Sequence, residues 1–501
     1  MKGAEMLFNT LQYGVFFVIV FALHWLLPKR VRRPFLLLAS YYFYASAIPK
    51  YLLLILGLTI FNYVLSLWLD RAEQPVRKRV LWLGIAGNLA SLSYFKYSQL
   101  FVSSAQPVLR HLPLMGPLFH DPLILHILLP LGISFFTFEF IHYQVEVYKG
   151  LSPLRNPIEF ALFPAFFPTQ IAGPIKRIHD WKKQLGHPLK LREVDVDGAI
   201  GLILRGLIKK VIVADTLSPV VALLFATPTK EGWAAVWFAI FAFATQIYCD
   251  FSGYTDIGRG CATLLGYAVP ENFDSPYQSA NPAEFWHRWH MSLSTWLRDY
   301  LYIPLGGSRV SKPRIYVNLM ITMALGGLWH GAQWHFMVWG VYQGILLCGH
   351  RYWSRSVGKN AVYQAIVRFP LSQLVTRAST LILVCVGWLL FRADTLTGAF
   401  AMLRSGLDFS RPALAGFTFS LTSTPVLLMG VAAAIVFSGW LWAIFKAPIV
   451  SQWQKRTVAL GTAWYSLGSS LVARPVLYVL AVSVLVLWPP HAATRFIYFQ
   501  F

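Results

Sequence analysis

Charge is scarce in this chain, and negative charge scarcer still. Lys and Arg number 43, Asp and Glu only 21, and together they make up 13% of 501 positions. A soluble globular chain carries about 25% charged residues. With 56% hydrophobic residues, 16% aromatic and a mean hydropathy of +0.53, too little polar surface remains to coat a water-soluble globule. Cysteine is sparse as well. Cys249, Cys261, Cys348 and Cys385 lie scattered in apolar segments without CxxC spacing, which argues against a disulfide framework and for small hydrophobic side chains in a membrane core. Other signals are missing too. His330 and His335 are five apart with no Glu between them, so they form no zinc HExxH pair, and no metal is expected. No nucleophile elbow, phosphate loop or dinucleotide fingerprint occurs in a suitable context. There is no internal repeat and no low-complexity linker, so residues 1–501 read as one membrane domain.

What is present is apolar sequence in long continuous runs, such as Tyr13–Leu27, Tyr51–Leu69 and Val476–Trp488. These approach the ~20 residues that cross a bilayer as helix. Because they do not alternate with polar residues, they exclude a β-barrel. The expected class is an all-α polytopic membrane protein. The net charge of +22 points to lipid rather than nucleic acid. Its basic residues cluster in short loops between apolar runs: Lys29, Arg30, Arg32 and Arg33; Arg71, Arg77, Lys78 and Arg79; Lys176, Arg177, Lys182 and Lys183. That pattern orients a membrane protein with these loops in the cytoplasm, facing anionic lipid, and puts the N-terminus outside. The first apolar run is followed by Pro28-Lys-Arg with no small-residue cleavage site, so it is expected to be retained.

Further spans are expected at Phe35–Ala47, Val80–Phe95, Leu123–Tyr148, Val196–Leu224, Trp233–Leu265, Arg314–Trp329, Trp334–Gly349, Thr380–Leu390 and Pro425–Ile444, roughly eleven in all by the length rule. The Pro-rich stretch around Pro107, Pro113, Pro117 and Pro122 reads as loop or interfacial structure. Phe160–Ile175 is apolar but holds Pro164, Pro168, Gly173 and Pro174. No straight helix runs through that spacing, and broken backbone at membrane depth borders a cavity or is buried in protein. It is expected to be re-entrant.

Polar groups inside apolar sequence are costly, which makes them candidates for chemistry. Residues 281–335 hold four of the thirteen histidines: His287, His290, His330 and His335. His330 lies in Leu325-Gly-Gly-Leu-Trp-His-Gly-Ala332, where small residues let helices approach closely. An imidazole there can take a proton at neutral pH, as a general base must. His290 follows Trp286 and Trp289. If that segment is helical, Trp286, His290, Ser294 and Arg298 fall on one i, i+4 line, although an interfacial helix would also explain its Trp and Arg residues. Glu139, His142 and Glu146 share one helix face and read as an aqueous helix end. Arg205 and Lys209 form a basic face suited to lipid headgroups or an anionic donor. Asp250, Ser252, Thr255 and Asp256 suggest a polar network or partners for nearby basic residues. Asp250 is kept, with Trp286, Ser294 and Arg298, as a substrate-binding candidate; His330 and His290 are the catalytic candidates.

Taken in order, the motifs resemble the membrane-bound O-acyltransferase family, in its alginate O-acetyltransferase-like branch. They are Tyr41-Tyr-Phe-Tyr44, Pro130-Leu-Gly-Ile-Ser-Phe-Phe-Thr-Phe138, Phe167-Pro-Thr-Gln-Ile-Ala-Gly-Pro174, Asp250-Phe-Ser-Gly-Tyr-Thr-Asp256, the block from Glu284 to Gly307, Leu325–Ala332 and Gly387-Trp-Leu-Leu-Phe-Arg-Ala393. The resemblance covers about residues 8–400, with core motifs over 130–393 and additional spans over 394–501. It implies a ring of helices, plus re-entrant helices, around a central channel entered from both faces. His330 then stands at the catalytic position and His290 at a second polar position beside the channel. His287 departs from the Arg common in the branch. The implied reaction is transfer of an acyl group, most simply acetyl from cytoplasmic acetyl-CoA used as substrate, with no bound cofactor. The implied destination is an exported polysaccharide such as alginate, through a periplasmic acetyltransferase partner, in the bacterial inner membrane. A D-alanyl-transferring branch of the family is a second reading, disfavoured by the extension past Gly387. A transporter or scramblase without chemistry is a third, disfavoured because no repeated halves are visible.

Overall fold

The structure, a computed structural model, describes residues 6–111, 123–125, 127–171, 173–227, 230–361, 369–415, 423–441, 444, 478–479 and 482–485. Most of the span expected at Val476–Trp488 lies outside them, as do Pro113, Pro117 and Pro122. Among the described residues the chain is helical without strands, apart from one isolated bridge between Phe273 and Trp289.

The helices run α1 (Leu11–Leu26), α2 (Lys29–Ala47), α3 (Leu52–Arg71), α4 (Val76–Leu92), α5 (Ser98–Leu109), α6 (Ile133–Tyr148), α7 (Pro157–Ala165), α8 (Phe167–Gln170), α9 (Ile178–Gly186), α10 (Val196–Leu207), α11 (Asp215–Ala226), α12 (Trp233–Leu264), α13 (Pro282–Arg288), α14 (Met291–Leu297), α15 (Lys312–His330), α16 (Trp334–Ser356), α17 (Pro370–Arg392) and α18 (Leu396–Gly406). A last helix, α19, covers Thr424–Leu441. Among the described residues four helices are long and apolar enough to cross a bilayer: Pro49–Arg71, Trp233–Leu264, Pro370–Arg392 and Thr424–Leu441. The others named above are shorter or more polar, so the described residues support several spans without fixing eleven.

Helix α12 is the spine. Its 32 residues reach about 48 Å at 1.5 Å per residue, and α10, α11, α17 and α18 pack on it. Glycines permit the closest crossing: a Cβ on Gly206 would stand 2.5 Å from the Gly253 carbonyl oxygen. The α15–α16 pair is built the same way, since a Cβ on Gly340 would stand 2.3 Å from Met323 O. These are the small-residue contacts that let membrane helices pack backbone to backbone.

Two sequence expectations change here. The helix expected from Leu123 begins instead at Ile133, because Gly132, two residues after Pro130, adopts left-handed backbone (φ 69°). Any side chain at Gly132 would also collide with the Gln170 carbonyl, 2.5 Å away. The basic face of α10 is not free for a headgroup or donor either. Arg205 donates twice to Asp256 at 2.9 Å and Lys209 once at 2.8 Å. Lys210, on the widened turn that follows, pairs with Asp215 at 2.8 Å and with Asp250 at 2.7 Å.

The break expected in the proline-containing segment is present. Phe160–Ile171 is buried throughout, with a break at Phe166 between α7 and α8. The polar face of α6 receives the chain that follows. Lys176 donates to Glu139 from both Nζ (2.8 Å) and backbone N–H (3.2 Å), and the Ile178 N–H donates to His142 Nε2 (3.1 Å). Glu146 accepts from Tyr300 at 2.9 Å and lies 2.8 Å from His179. Only Glu146 sits at an aqueous-type end; Glu139 and His142 are deeply buried.

Candidate active site

The segment carrying His290 is two short helices with a left-handed kink between them. Asn281 starts α13, its side chain accepting from the Glu284 N–H at 2.9 Å, while Glu284 reaches back to the Ala280 N–H at 2.9 Å. Pro282 at the first position is pre-set for a helix start. The helix ends at Arg288, and His290 itself takes φ 43°, ψ 52°. A non-glycine residue in that region is uncommon and costs free energy. Asn272 holds the kink. Its carbonyl accepts from Met291 N–H (3.0 Å), and its side-chain oxygen accepts from Ser292 N–H (3.1 Å) and Ser292 Oγ (2.6 Å). These bonds supply partners for amides that α14 leaves open at its start.

The kink overturns the single i, i+4 line expected for Trp286, His290, Ser294 and Arg298. Trp286, Ser294 and Arg298 line one cavity of 640 Å³, together with His287, His350, Arg351 and Arg355; Met291, Leu297, Leu319, Met323 and Leu347 give it apolar walls. His290 turns away from it and is fully buried. The imidazole meets Phe251 edge-on at 4.7 Å and Trp329 at 5.8 Å, centroid to centroid. Its Nδ1 lies 3.4 Å from Asn272 Oδ1, and its Nε2 has no hydrogen-bond partner among the described residues. A buried polar atom left that way costs about 1–3 kcal/mol.

His330 ends α15 on the other side of Trp329, with ring centroids 5.0 Å apart. Trp339 (5.1 Å) and Phe391 (5.5 Å) stand edge-on to it. Gly331 beyond it is small of necessity, since a Cβ there would overlap Phe336 at 2.0 Å. His330 lines a second cavity, of 430 Å³, with Lys96, Ser134, Phe135, Trp329 and residues 128–133. The two cavities lie at different levels of α15: Leu319, Thr322 and Met323 at its middle face the first, Trp329 and His330 at its C-terminal end the second. Met323 and Trp329 are six residues apart, about 9 Å along a helix.

Between them stands a small apolar cluster of its own: Phe135, Phe138, Ile141, Ile175, Leu293, Trp296, Leu297 and Trp329. Phe138 stacks on Trp296 at 3.7 Å and on Trp329 at 5.5 Å. Leu297 faces the larger cavity, Phe135 and Trp329 the smaller. The two histidines therefore converge on one indole rather than in one open chamber, and His290 is not among the residues lining the smaller cavity.

Asp250 sits in the ion-pair network with Lys210, one residue from the Phe251 ring that packs on His290. His335 packs against Phe336 at 4.1 Å. Sequence reasoning missed Lys96, whose Nζ donates to the carbonyl oxygens of Trp329 and His330. The signal was available: a lysine directly after an apolar run, in Ser93-Tyr-Phe-Lys-Tyr97. Among the described residues no group of three His, Cys, Asp or Glu side chains could hold a metal.

His330 thus lines one cavity, and the apolar cluster separates it from a second cavity lined by three arginines. The chain is 40% identical to a probable alginate O-acetylase of Pseudomonas aeruginosa, over 81% of this chain and 75% of the relative. It is 35% identical to the corresponding protein of Azotobacter vinelandii, over 97% and 98%. It is 34% identical to a peptidoglycan O-acetyltransferase of Helicobacter pylori, over 78% and 76%. With residues 94–391 matching the membrane-bound O-acyltransferase family across both histidines and the wall between the cavities, this chain belongs to that family and is an O-acyltransferase.

Proposed function

We propose that the protein takes acetyl from acetyl-CoA at the arginine-rimmed cavity and transfers it to a hydroxyl at the His330 cavity, for O-acetylation of an exported polysaccharide. The observation that carries this is the pair of cavities along α15, the larger against its middle and the smaller at its C-terminal end, with the apolar cluster that includes Leu297, Phe135 and Trp329 between them. Arg298, Arg351 and Arg355 offer the guanidinium forks that suit phosphate oxygens, and the apolar walls behind them suit an acyl-bearing arm. By charge distribution this end is cytoplasmic. The opposite cavity opens to the outer face of a bacterial inner membrane, where a periplasmic acetyltransferase partner would collect the acetyl group for the polymer. We infer that the spans complete a ring of roughly eleven helices with re-entrant pieces around this doubly entered centre.

In the reaction, His330 accepts the proton of the acceptor hydroxyl as its oxygen attacks the thioester carbonyl. The C–S bond breaks, the proton passes to the departing thiolate, and an ester and a free thiol result. Proton transfer of this kind contributes typically about 10²–10⁴-fold. The names of the relatives that match three quarters or more of the chain support acetyl over D-alanyl transfer, and a base beside the wall supports chemistry over simple passage. The test is the acetyl content of polymer from a deletion strain carrying either the wild-type protein or His330→Ala, with both proteins quantified in the membrane. Polymer acetylation is expected to vanish with His330→Ala. Wild-type acetyl content in that strain would overturn the reading.

A further inference from the structure

Helix α15 ends at the residue assigned as base, and its last carbonyls point out of the helix with no intrahelical partner, as at any C-terminus. Three consecutive ones are served from a distant part of the chain. Tyr97 Oη donates to Leu328 O at 2.8 Å. Lys96 Nζ donates to Trp329 O and, at 3.3 Å, to His330 O. Lys96 also donates to Ser134 Oγ at 3.4 Å, and its ammonium lies 5.8 Å from the centre of the Trp329 ring. Lys96 and Tyr97 belong to a single widened turn, Ser93–Tyr97, between α4 and α5. Such π-type turns place neighbouring side chains where an α-helix could not and recur at functional sites.

We propose that Lys96 and Tyr97 are positioning residues that clamp the C-terminus of α15 and so fix the His330 imidazole at the mouth of its cavity. This rests on His330 being the base. The partners of Lys96 are two carbonyls and a hydroxyl, with no carboxylate among them. That distinguishes it from Lys176 and Lys210, which pair with acids. A cation suits a helix C-terminus, where the carbonyl dipoles add to a partial negative charge. Gly331 leaves the helix in extended backbone (φ −158°, ψ 151°), so the clamp holds the last turn at the point where the chain changes direction. Misplacing a reacting group by about 1 Å can cost about 10²-fold in rate.

The test uses the full-length protein in detergent or nanodiscs and the same strain assay. Hydrogen–deuterium exchange is read over residues 326–332, with 139–147 as internal reference. Lys96→Met is expected to speed exchange at 326–332 about fivefold, the equivalent of one lost hydrogen bond, and to lower polymer acetylation about 10- to 100-fold. Lys96→Arg, which keeps the cation and its donors, restores most of both. Tyr97→Phe removes one hydroxyl without changing packing and gives a smaller loss of the same kind, so the clamp is tested even if Lys96→Met folds poorly. Unchanged exchange at 326–332 in Lys96→Met and Tyr97→Phe overturns the clamp, whatever happens to acetylation. Faster exchange in a strain background where His330→Ala still acetylates supports the clamp and removes its catalytic reading instead.

Discussion

Two parts of this molecule bury polar side chains, and they do it in opposite ways. On α6, Glu139, His142 and Glu146 meet Lys176, the Ile178 amide, His179 and Tyr300, each at 3.2 Å or less. Around Trp329 the surroundings differ: His290 takes left-handed backbone among aromatic rings, and His330 lines a cavity, while among the described residues one nitrogen of His142 and one of His290 alike lack a hydrogen-bond partner. Polar groups that answer each other fix architecture, because they offset the cost of leaving water. A polar group that lines a cavity is in reach of a substrate. The contrast separates scaffold from chemistry among residues that look alike in the sequence.

The sharpest way to break the contrast is to remove one group from each side. His330→Ala is expected to lower acyl transfer about 10²–10⁴-fold while leaving the unfolding temperature of the detergent-solubilised protein close to wild type. Glu139→Gln should do the reverse. It strands the Lys176 ammonium, which is 3% exposed, and breaking a buried pair on one side costs about 3–5 kcal/mol. Thermal unfolding should therefore shift sharply down, with activity per folded molecule nearly unchanged. If Glu139→Gln instead abolished activity in protein of normal stability, the α6 cluster would belong to the chemistry.

Much of this contrast was legible in the sequence, and the part that was not has a physical reason. Apolar runs and basic loops gave the membrane class, since those patterns follow directly from bilayer thickness and charge. Pro164 and Pro168 announced the broken, buried segment, and Gly327 announced the close approach of α15 to α16. The His290 kink was not readable, because the force that holds it comes from Asn272, whose role depends on packing rather than local propensity. An i, i+4 pattern is a statement about a continuous helix, and here a left-handed residue interrupts it. Likewise the pairing of Arg205 and Lys209 with Asp256 spans about fifty positions in sequence and shows no local signature. Lys96 illustrates both limits: the lysine is visible, but its carbonyl partners are more than 230 residues away.

The comparison also extends to the two cavities, which differ in charge. The larger carries Arg298, Arg351 and Arg355 at its rim; in the smaller, Lys96 is bound to carbonyls and His330 is the other titratable side chain. If the arginines receive the phosphates of the donor, Arg351→Ala and Arg355→Ala should each raise the KM for acetyl-CoA about tenfold, the worth of a charge-assisted hydrogen bond. Their kcat should stay within about twofold, because the reacting atoms lie at the far wall. The check is initial-rate kinetics in membranes open on the basic side. A fall in kcat with unchanged KM would move the donor away from this rim.

The smallest effect, and the one that tests sign rather than size, comes from His287→Arg. His287 is exposed on α13 at the border of the larger cavity, and its neighbour Arg288 already bonds to Glu284 at 3.0 Å and to the Asp274 carbonyl at 3.1 Å. An added guanidinium at His287 therefore faces the cavity rim without disturbing that pair. In water-exposed surroundings one further charge is worth only about 0.2–1 kcal/mol, so the KM for acetyl-CoA should fall about two- to threefold, and less at high salt as screening shortens its reach. A donor without phosphates, such as an acetyl thioester of a short neutral thiol, should be indifferent to the change. An equal gain for both donors would assign the effect to packing at the rim, whereas a gain confined to acetyl-CoA and erased by salt would place an anion within reach of position 287.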